Sequence, residues 1–218
     1  MDLAKKQIKE QKIIKSAEQI FALAGFHSAK MEDIAAEAGI TKVTLYSYFQ
    51  SKDNLYLAVI YNGFQALTEI FYSSINANRG NSGYESTMAI FKSFYQFCEQ
   101  NFLYSEAILD YFNMIRNITR SGDTSHSSLS DSIFFAKLQD IQNLPLKLTA
   151  KEITRGIEDG SITASIDPML STIQGWTMVV GYIKLLIASG SKGSTLMSVD
   201  LKSLKTLSLE MAKNSLKS

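Results

Sequence analysis

Cysteine, proline and histidine are scarce in this chain of 218 residues, and each shortage excludes a class of protein. The one cysteine, Cys98, cannot form a disulfide within the chain, so the sequence fits a reducing compartment and not a disulfide framework. The two histidines, His27 and His126, have no cysteine or second histidine nearby, so we expect no metal site. With only two prolines and many leucine, isoleucine, alanine, lysine and glutamate residues, the composition favours helices.

Sequence signatures of common enzymes are also missing. There is no phosphate-binding glycine loop and no GxSxG, HExxH or CxxC motif, so we expect no catalytic residues, no cofactor and no enzymatic activity. The longest apolar run, 176–188, is too short for a membrane span and is interrupted by Lys184. No signal peptide is visible. The sequence therefore predicts a cytoplasmic protein without a membrane partner.

Positive charge is not in excess over the whole chain, whose net charge is +1. Residues 1–52 carry eight lysines against six acidic residues, so the N-terminal end is slightly basic. This distribution fits a protein that touches few phosphates and relies on site-specific contacts, and it speaks against a non-specific DNA organiser. A solvated helix face explains the same charges equally well.

The stretch 31–52, MEDIAAEAGITKVTLYSYFQSK, predicts two short helices joined by a tight turn. Gly39 is expected to adopt positive φ at the end of the first helix, and the Thr41 hydroxyl to cap the second. Apolar residues at helical spacing give both helices a buried side: Ile34, Ala35, Ala38, Leu45 and Phe49. This is a helix-turn-helix pattern, whose second helix enters the major groove of DNA. A plain helical hairpin in an all-α protein is the alternative.

The residues expected to touch DNA lie on the second helix and at two neighbouring helix starts. Threonine and serine hydroxyls can serve bases or phosphates, and Lys42 suits a phosphate or a guanine. Lys30 and Lys52 stand at predicted helix N-termini, which favour an anion such as phosphate. The complete predicted set is Lys30, Thr41, Lys42, Val43, Thr44, Tyr46, Ser47, Tyr48 and Lys52.

The identities and spacing in this region resemble the TetR (tetracycline-repressor) family of bacterial transcriptional regulators. The resemblance covers about residues 10–60 and is carried by Gly25-Phe26, Met31-Glu-Asp-Ile34-Ala35, Ala38-Gly39-Ile40-Thr41, Leu45-Tyr46, Tyr48-Phe49 and Ser51-Lys52-Asp53 with Leu55. Two positions depart from the pattern. Ala29 replaces the usual threonine or serine before the first of the two helices, so Ser28 is expected to cap it. Val43 replaces a frequently small residue, which bears on the operator and not on the mode of binding.

The resemblance implies an all-α fold of about nine helices in two parts. An N-terminal three-helix, helix-turn-helix DNA-binding domain is expected over residues 1–53, and a helical ligand-binding and dimerisation domain over 54–218. Beyond residue 60 the resemblance is one of helix layout only. We expect Pro145 to kink or break a helix, and loops at 121–128 and 190–193.

Aromatic side chains are frequent in the second part of the chain and allow a pocket for an apolar or aromatic small molecule. Ordinary core packing explains each of these residues individually. The predicted pocket residues are Phe64, Phe71, Tyr95, Tyr111, Met114, Phe134 and Trp176.

The last two predicted helices, about 167–190 and 199–216, are apolar enough to need a partner. The family layout implies that they pair with the same helices of a second subunit in a four-helix bundle. The sequence therefore predicts a homodimeric, sequence-specific DNA-binding transcriptional regulator. The resemblance implies a repressor that a small molecule releases from a palindromic operator. A small-molecule carrier or enzyme that has this fold but binds no operator is the alternative.

Overall fold

The computed structural model describes residues 3–121, 129, 131–189 and 199–217, and over these ranges the regular structure is α-helical. The helices are α1 Leu3–Ser28, α2 Met31–Ala38, α3 Lys42–Tyr48, α4 Lys52–Ala77, α5 Gly83–Gln100, α6 Phe102–Ser121, α7 Ile133–Ile141, α8 Leu144–Glu158, α9 Pro168–Ser189 and α10 Leu201–Ser215. The predicted all-α fold is confirmed. The predicted loops at 121–128 and 190–193 lie almost wholly outside the described residues.

The chain divides into two compact units that do not follow a single cut in the sequence. Unit 1 comprises 1–64 and 107–140, and unit 2 comprises 65–106 and 141–218. Helices α4 and α6 contribute residues to both units. The division of function at residue 53 stays a prediction.

In unit 1, α1 packs against α2 and α2 against α3. Helix α1 does not end at Gly25 but bends there, because Gly25 adopts φ 72° and ψ 161°, a conformation that favours glycine. The prediction that Ser28 caps α2 is wrong. Lys30 is the N-cap residue and offers no side-chain cap, so Ser28 stands too far before the helix to serve it.

In unit 2, α5, α8, α9 and α10 pack around a shared apolar core. The core residues are Met88, Phe91, Ile153, Ile162, Ala212 and Leu216. The backbones of α5 and α8 meet at Gly83 and Gly156, where neither residue has a side chain to keep them apart. Arg155 of α8 donates to the Asn81 carbonyl at 2.7 Å, which joins α8 to the start of α5.

Local signals set most helix ends as the sequence predicts. Pro145 lies in the first turn of α8, and the helix break predicted at this proline is found between α7 and α8. Asp167 caps α9 by accepting the Leu170 amide at 2.6 Å. Asp200, which the sequence did not single out, caps α10 by accepting the Ser203 amide at 2.9 Å.

Helix α9 is long and apolar enough to cross a membrane by length and composition. The apolar run 176–188, predicted from the sequence to be too short for a membrane span, is only part of this helix. Core helices of soluble proteins satisfy the same criteria, and α9 packs against α5, α8 and α10 of unit 2. By itself, this one helix is weak evidence for a membrane protein.

Candidate nucleic-acid interface

Helix α3 is fixed at its start by short-range contacts. Gly39 adopts φ 66° after α2, and its amide hydrogen-bonds to the Ala36 carbonyl at 3.0 Å. The Thr41 hydroxyl accepts the Thr44 amide at 3.1 Å, which confirms the predicted cap of α3. Leu45 is fully buried and holds the inner side of the helix in the core of unit 1. Apart from the Thr41 hydroxyl, these contacts do not involve the side chains on the outer side of α3.

The outer side of α3 presents polar and apolar groups to solvent. Val43 is 82% exposed, and Tyr46 is 41% exposed. Thr41, Lys42 and Ser47 are also exposed. Such a surface of hydroxyls, one cation and one apolar side chain suits base edges and thymine methyl groups as well as phosphates.

The remaining predicted residues of this set vary in accessibility. Thr44 and Tyr48 are half-buried, whereas Lys30 is exposed at the start of α2. The Lys9 ammonium lies 5.9 Å from the ring centroid of Tyr48, so a lysine of α1 reaches the end of α3. No pattern in the sequence pairs Lys9 with Tyr48, because a bend and two helices separate them along the chain.

The Lys42 ammonium forms an ion pair with the carboxylate of Glu32 in the first turn of α2. The hydrogen bond between them raises the pKa of Lys42 and lowers that of Glu32. Lys42 also lies 5.9 Å from the ring centroid of Tyr46. The spacing of Glu32 and Lys42 in the sequence does not predict this pair, since the two partners are on different helices.

Lys52 has different surroundings from Lys42. Its ammonium donates hydrogen bonds to three backbone carbonyls, those of Phe26 at 2.7 Å, His27 at 3.1 Å and Ala29 at 3.0 Å. The side chain is half-buried. A phosphate contact at Lys52 would have to compete with these three bonds.

The seven predicted pocket residues are divided between the two units. Unit 1 holds Phe64, Tyr111, Met114 and Phe134, and unit 2 holds Phe71, Tyr95 and Trp176. All except the half-buried Met114 are buried. Several pack as aromatic pairs: Phe64 with Tyr111 at 5.6 Å, Phe71 with Phe94 at 5.6 Å, and Phe94 with Trp176 at 4.7 Å. The ring contacts are those of a packed core.

Among the described residues, three of these aromatic side chains nevertheless carry a buried polar atom without a hydrogen-bond partner. They are the Tyr111 hydroxyl in unit 1 and the Tyr95 hydroxyl and Trp176 indole nitrogen in unit 2. Burial raises the pKa of Tyr111 to about 12. Buried polar groups usually have a partner, so each of these atoms is a place where a ligand or a water could bind.

The cavities of the described residues are lined mainly by residues outside the predicted pocket set. An open groove of about 600 Å³ in unit 2 runs between α5 and α10 and is lined by residues such as Tyr84, Met88 and Leu209. A cavity of about 200 Å³ in unit 1 is lined by Phe134 together with Tyr48 and Phe49. Within the described ranges, no group of three or more histidine, cysteine, aspartate or glutamate residues could hold a metal ion.

Comparison with known families and curated proteins identifies relatives of the N-terminal region. A family model described as bacterial regulatory proteins, tetR family, matches residues 13–59. The HTH-type transcriptional activator FasR of Mycolicibacterium smegmatis is 31% identical over 86 residues, which cover 39% of this chain and 38% of FasR. The HTH-type transcriptional regulator RutR of Escherichia coli is 42% identical over 52 residues, 24% of each chain. The matched regions therefore span less than two-fifths of these relatives.

Solved structures resemble the whole fold at low sequence identity. FadR from Bacillus subtilis, in complex with stearoyl-CoA, has a TM-score of 0.66 at 17% identity and covers 94% of this chain and 98% of its own. AibR, in complex with isovaleryl coenzyme A and operator DNA, has a TM-score of 0.62 at 16% identity and covers 93% of this chain and 97% of its own. At such identities the likeness establishes the fold and not the ligand.

Proposed function

We propose that this chain is a DNA-binding transcriptional regulator of the TetR family and that it acts as a homodimeric repressor; the family match over residues 13–59 and the similarity to FasR support this. A small molecule releases it from a palindromic operator. The observation that carries the proposal is the outer side of α3, where Lys42, Val43 and Tyr46 are exposed while Leu45 anchors the helix. In a helix-turn-helix, this side of the second helix meets base edges in the major groove.

The proposed DNA contacts divide into readers of bases and contacts to the backbone. Val43 suits a thymine methyl group, and Lys42 suits guanine or phosphate. Lys30 stands at the start of α2, where the helix N-terminus also favours an anion. The proposed contact set is Lys30, Thr41, Lys42, Val43, Thr44, Tyr46, Ser47 and Tyr48.

Dimerisation through α9 and α10 is supported by apolar side chains that unit 2 leaves in solvent. On α9, Leu170 is 67% exposed, and on α10, Leu207 is 57% exposed. Met169, Ile173, Leu185 and Met211 are exposed as well. A two-fold axis through such a surface gives a symmetric dimer, and its two recognition helices require half-sites about 34–36 Å apart.

We assign effector binding to residues 54–218 and operator binding to residues 1–53. Within the described part of unit 2, the buried Trp176 indole nitrogen has no hydrogen-bond partner, which supports a ligand that is mainly apolar or aromatic and has a few polar groups. FadR and AibR are solved with acyl-CoA molecules, so stearoyl-CoA and isovaleryl-CoA are the first probes. The ligand lowers operator affinity only by binding better to a state in which the recognition helices are wrongly spaced.

Operator binding is tested with a duplex that the wild-type protein selects from random-sequence DNA. Lys42→Ala and Tyr48→Ala should each weaken binding at least about tenfold, in line with the loss of a phosphate or base contact. Lys151→Ala is the matched control, because Lys151 is an exposed lysine of α8 in unit 2. Sedimentation of each variant as a dimer excludes loss of assembly. Unchanged binding by both α3 variants would refute the assigned surface.

Activation of transcription is a second candidate, because FasR is named a transcriptional activator. A reporter gene placed behind the selected operator separates the two functions. Deleting the gene for this protein should raise expression from that reporter if it represses, and lower it if it activates.

A protein that binds neither the selected duplex nor genomic DNA at physiological salt would instead be a carrier or an enzyme that shares the fold. We expect the working protein to reside in the cytoplasm.

A further inference from the structure

We infer that Lys52 positions the helix-turn-helix and does not bind a DNA phosphate; this inference rests on the proposed function of α3. Lys52 is the first residue of α4, and its ammonium donates to the carbonyls of Phe26, His27 and Ala29 at 2.7, 3.1 and 3.0 Å. An ammonium has three N–H donors, so these three bonds use all of them.

The carbonyls of Phe26 and His27 lie in the last turn of α1, and that of Ala29 lies between α1 and α2. Carbonyls in the last turn of a helix have no partner within the helix and carry partial negative charge, which favours a cation. The neighbouring carbonyls have backbone partners: that of Gly25 accepts the Ala29 amide at 3.1 Å, and that of Lys30 accepts the Ile34 amide at 3.2 Å. Lys52 thus supplies the hydrogen bonds that the backbone of this turn does not make for itself.

The same lysine contacts the aromatic side chain of the turn. Its ammonium lies 4.7 Å from the ring centroid of Phe26, a cation–π distance. The Phe26 ring also stacks on Tyr56 with centroids 4.4 Å apart. Tyr56 is one helical turn after Lys52, is buried, and donates its hydroxyl to Asp110 at 2.8 Å. The first two turns of α4 therefore hold Phe26 with both a cation and a buried ring.

This arrangement links the start of α4 to the position of α2. Residue Met31 begins α2 immediately after the turn, and α2 packs against α3. Moving the Lys52 ammonium to a phosphate would break three charge-assisted hydrogen bonds, and the bonds to the Phe26 and Ala29 carbonyls are partly buried. Lys52 consequently affects DNA binding through the orientation of α2 and α3.

The test compares Lys52→Met, which keeps the apolar stem, with Lys52→Arg, whose guanidinium keeps the charge and can donate to the same carbonyls. Two control variants separate the competing explanations. Lys42→Met removes an exposed cation of α3, and Ile13→Val creates a small cavity at a fully buried position of α1. Each protein is measured for Tm, for amide hydrogen exchange over residues 26–34, and for affinity to the selected duplex at 10 °C over a range of salt concentrations.

A positioning role predicts a specific combination of results. Lys52→Met should lower Tm by about 5 °C and speed amide exchange in the turn, since three carbonyls lose their partners. It should weaken duplex binding at least about tenfold while the slope of log affinity against log salt stays that of the wild type. Lys52→Arg should restore slow exchange and most of the affinity. Ile13→Val should lower Tm without weakening binding at 10 °C.

Two results for Lys52→Met would overturn the inference. If Lys52→Met reduces the slope of log affinity against log salt by about 0.9 for each subunit, Lys52 contacts a phosphate. Lys42→Met should show a reduction of this size if Lys42 contacts phosphate. A lower Tm with wild-type affinity at 10 °C would show that Lys52 serves stability alone. If the wild-type protein binds no duplex, the proposed function fails. The exchange data still decide, independently, whether Lys52 holds the turn.

Discussion

The start of α3 in unit 1 and the contact of α5 with α8 in unit 2 are both closely packed junctions. The first is formed by residues close together in the sequence, and the second by residues far apart in the sequence. At α3, a glycine, a capping threonine and an apolar side chain lie within a few residues of one another. At α5, Gly83 meets Gly156, which is far away in the sequence. The first junction is set by local conformational preferences, and the second exists only when two helices have already packed.

Substitution at Gly83 should break the second junction with the largest effect. A Cβ atom added there would overlap the backbone nitrogen and Cα of Gly156, which cannot move aside without separating α5 from α8. Gly83→Ala is expected to lower the free energy of unfolding by about 3 kcal/mol, as a severe case of overpacking. Urea unfolding monitored by circular dichroism measures it.

Gly80→Ala is the matched control for this prediction. A Cβ atom at Gly80 meets nothing within 4 Å, so this variant should be as stable as the wild type or slightly more stable. Equal stability of both alanine variants would show that the close approach of α5 and α8 does not exist in solution.

Alkaline pH should weaken unit 2 through Cys98. Burial raises the pKa of this fully buried thiol from 9.0 to about 12. The unfolded chain loses the proton above pH 9 whereas the folded chain keeps it, so the stability falls as pH rises from about 9 towards 12. Between pH 9 and 11 the thiol should cost roughly 2–3 kcal/mol of unfolding free energy.

Cys98→Ala isolates this contribution, since other groups also titrate at high pH. The stability of the variant should decline less steeply than that of the wild type over the same pH range. Because Cys98 is the only cysteine, its reaction with a thiol reagent at pH 8 should require unfolding of its surroundings. Parallel pH profiles, or rapid labelling of the folded protein, would contradict the placement of Cys98.

Removing the cap of α3 should have a smaller effect than either change in unit 2. Thr41→Ala leaves the Thr44 amide without its side-chain acceptor and should lower the free energy of unfolding by about 1 kcal/mol. Thermal melts of Thr41→Ala measure this loss of stability, with Ser47→Ala as the comparison. The Ser47 hydroxyl bonds only within the exposed helix, so its removal should change Tm less. The reverse order would contradict the cap.

The ion pair between Glu32 and Lys42 should affect stability least of all. Both side chains are more than half exposed, and such pairs contribute little in water. Glu32→Gln should leave Tm within about one degree of the wild type. It should strengthen binding to the selected duplex and steepen its salt dependence, because Lys42 is released and a negative charge is removed from the side that we propose to face DNA. Weaker binding would show that Glu32 orients Lys42 for its contact.

The same contrast explains what the sequence could and could not predict. Gly39, Thr41 and Pro145 act on their own neighbours, so their patterns led to the correct turn, cap and helix break. The actual environment of Lys52 depends on carbonyls more than twenty residues earlier, which no local pattern reveals. The Lys42–Glu32 pair was missed for the same reason.

Two further differences arise from the same cause. Ser28 was expected to cap α2, but the bend at Gly25 extends α1 through Ser28 and leaves Lys30 as the N-cap residue. The predicted pocket residues were chosen by aromatic character, which does not distinguish a core from a cavity. Most of them pack against other rings. Among the described residues, the unpartnered polar atoms of Tyr95, Tyr111 and Trp176 point beyond core packing.

Hydroxyl-radical footprinting of the wild-type protein on its selected duplex tests the central claim most directly. Two copies of α3, each anchored by Leu45 and exposing Val43, should protect two half-sites related by a two-fold axis and centred about 34–36 Å apart. Lys42→Ala should weaken both protected regions equally. A single protected region, or protection that remains unchanged in Lys42→Ala and Tyr48→Ala, would contradict the account.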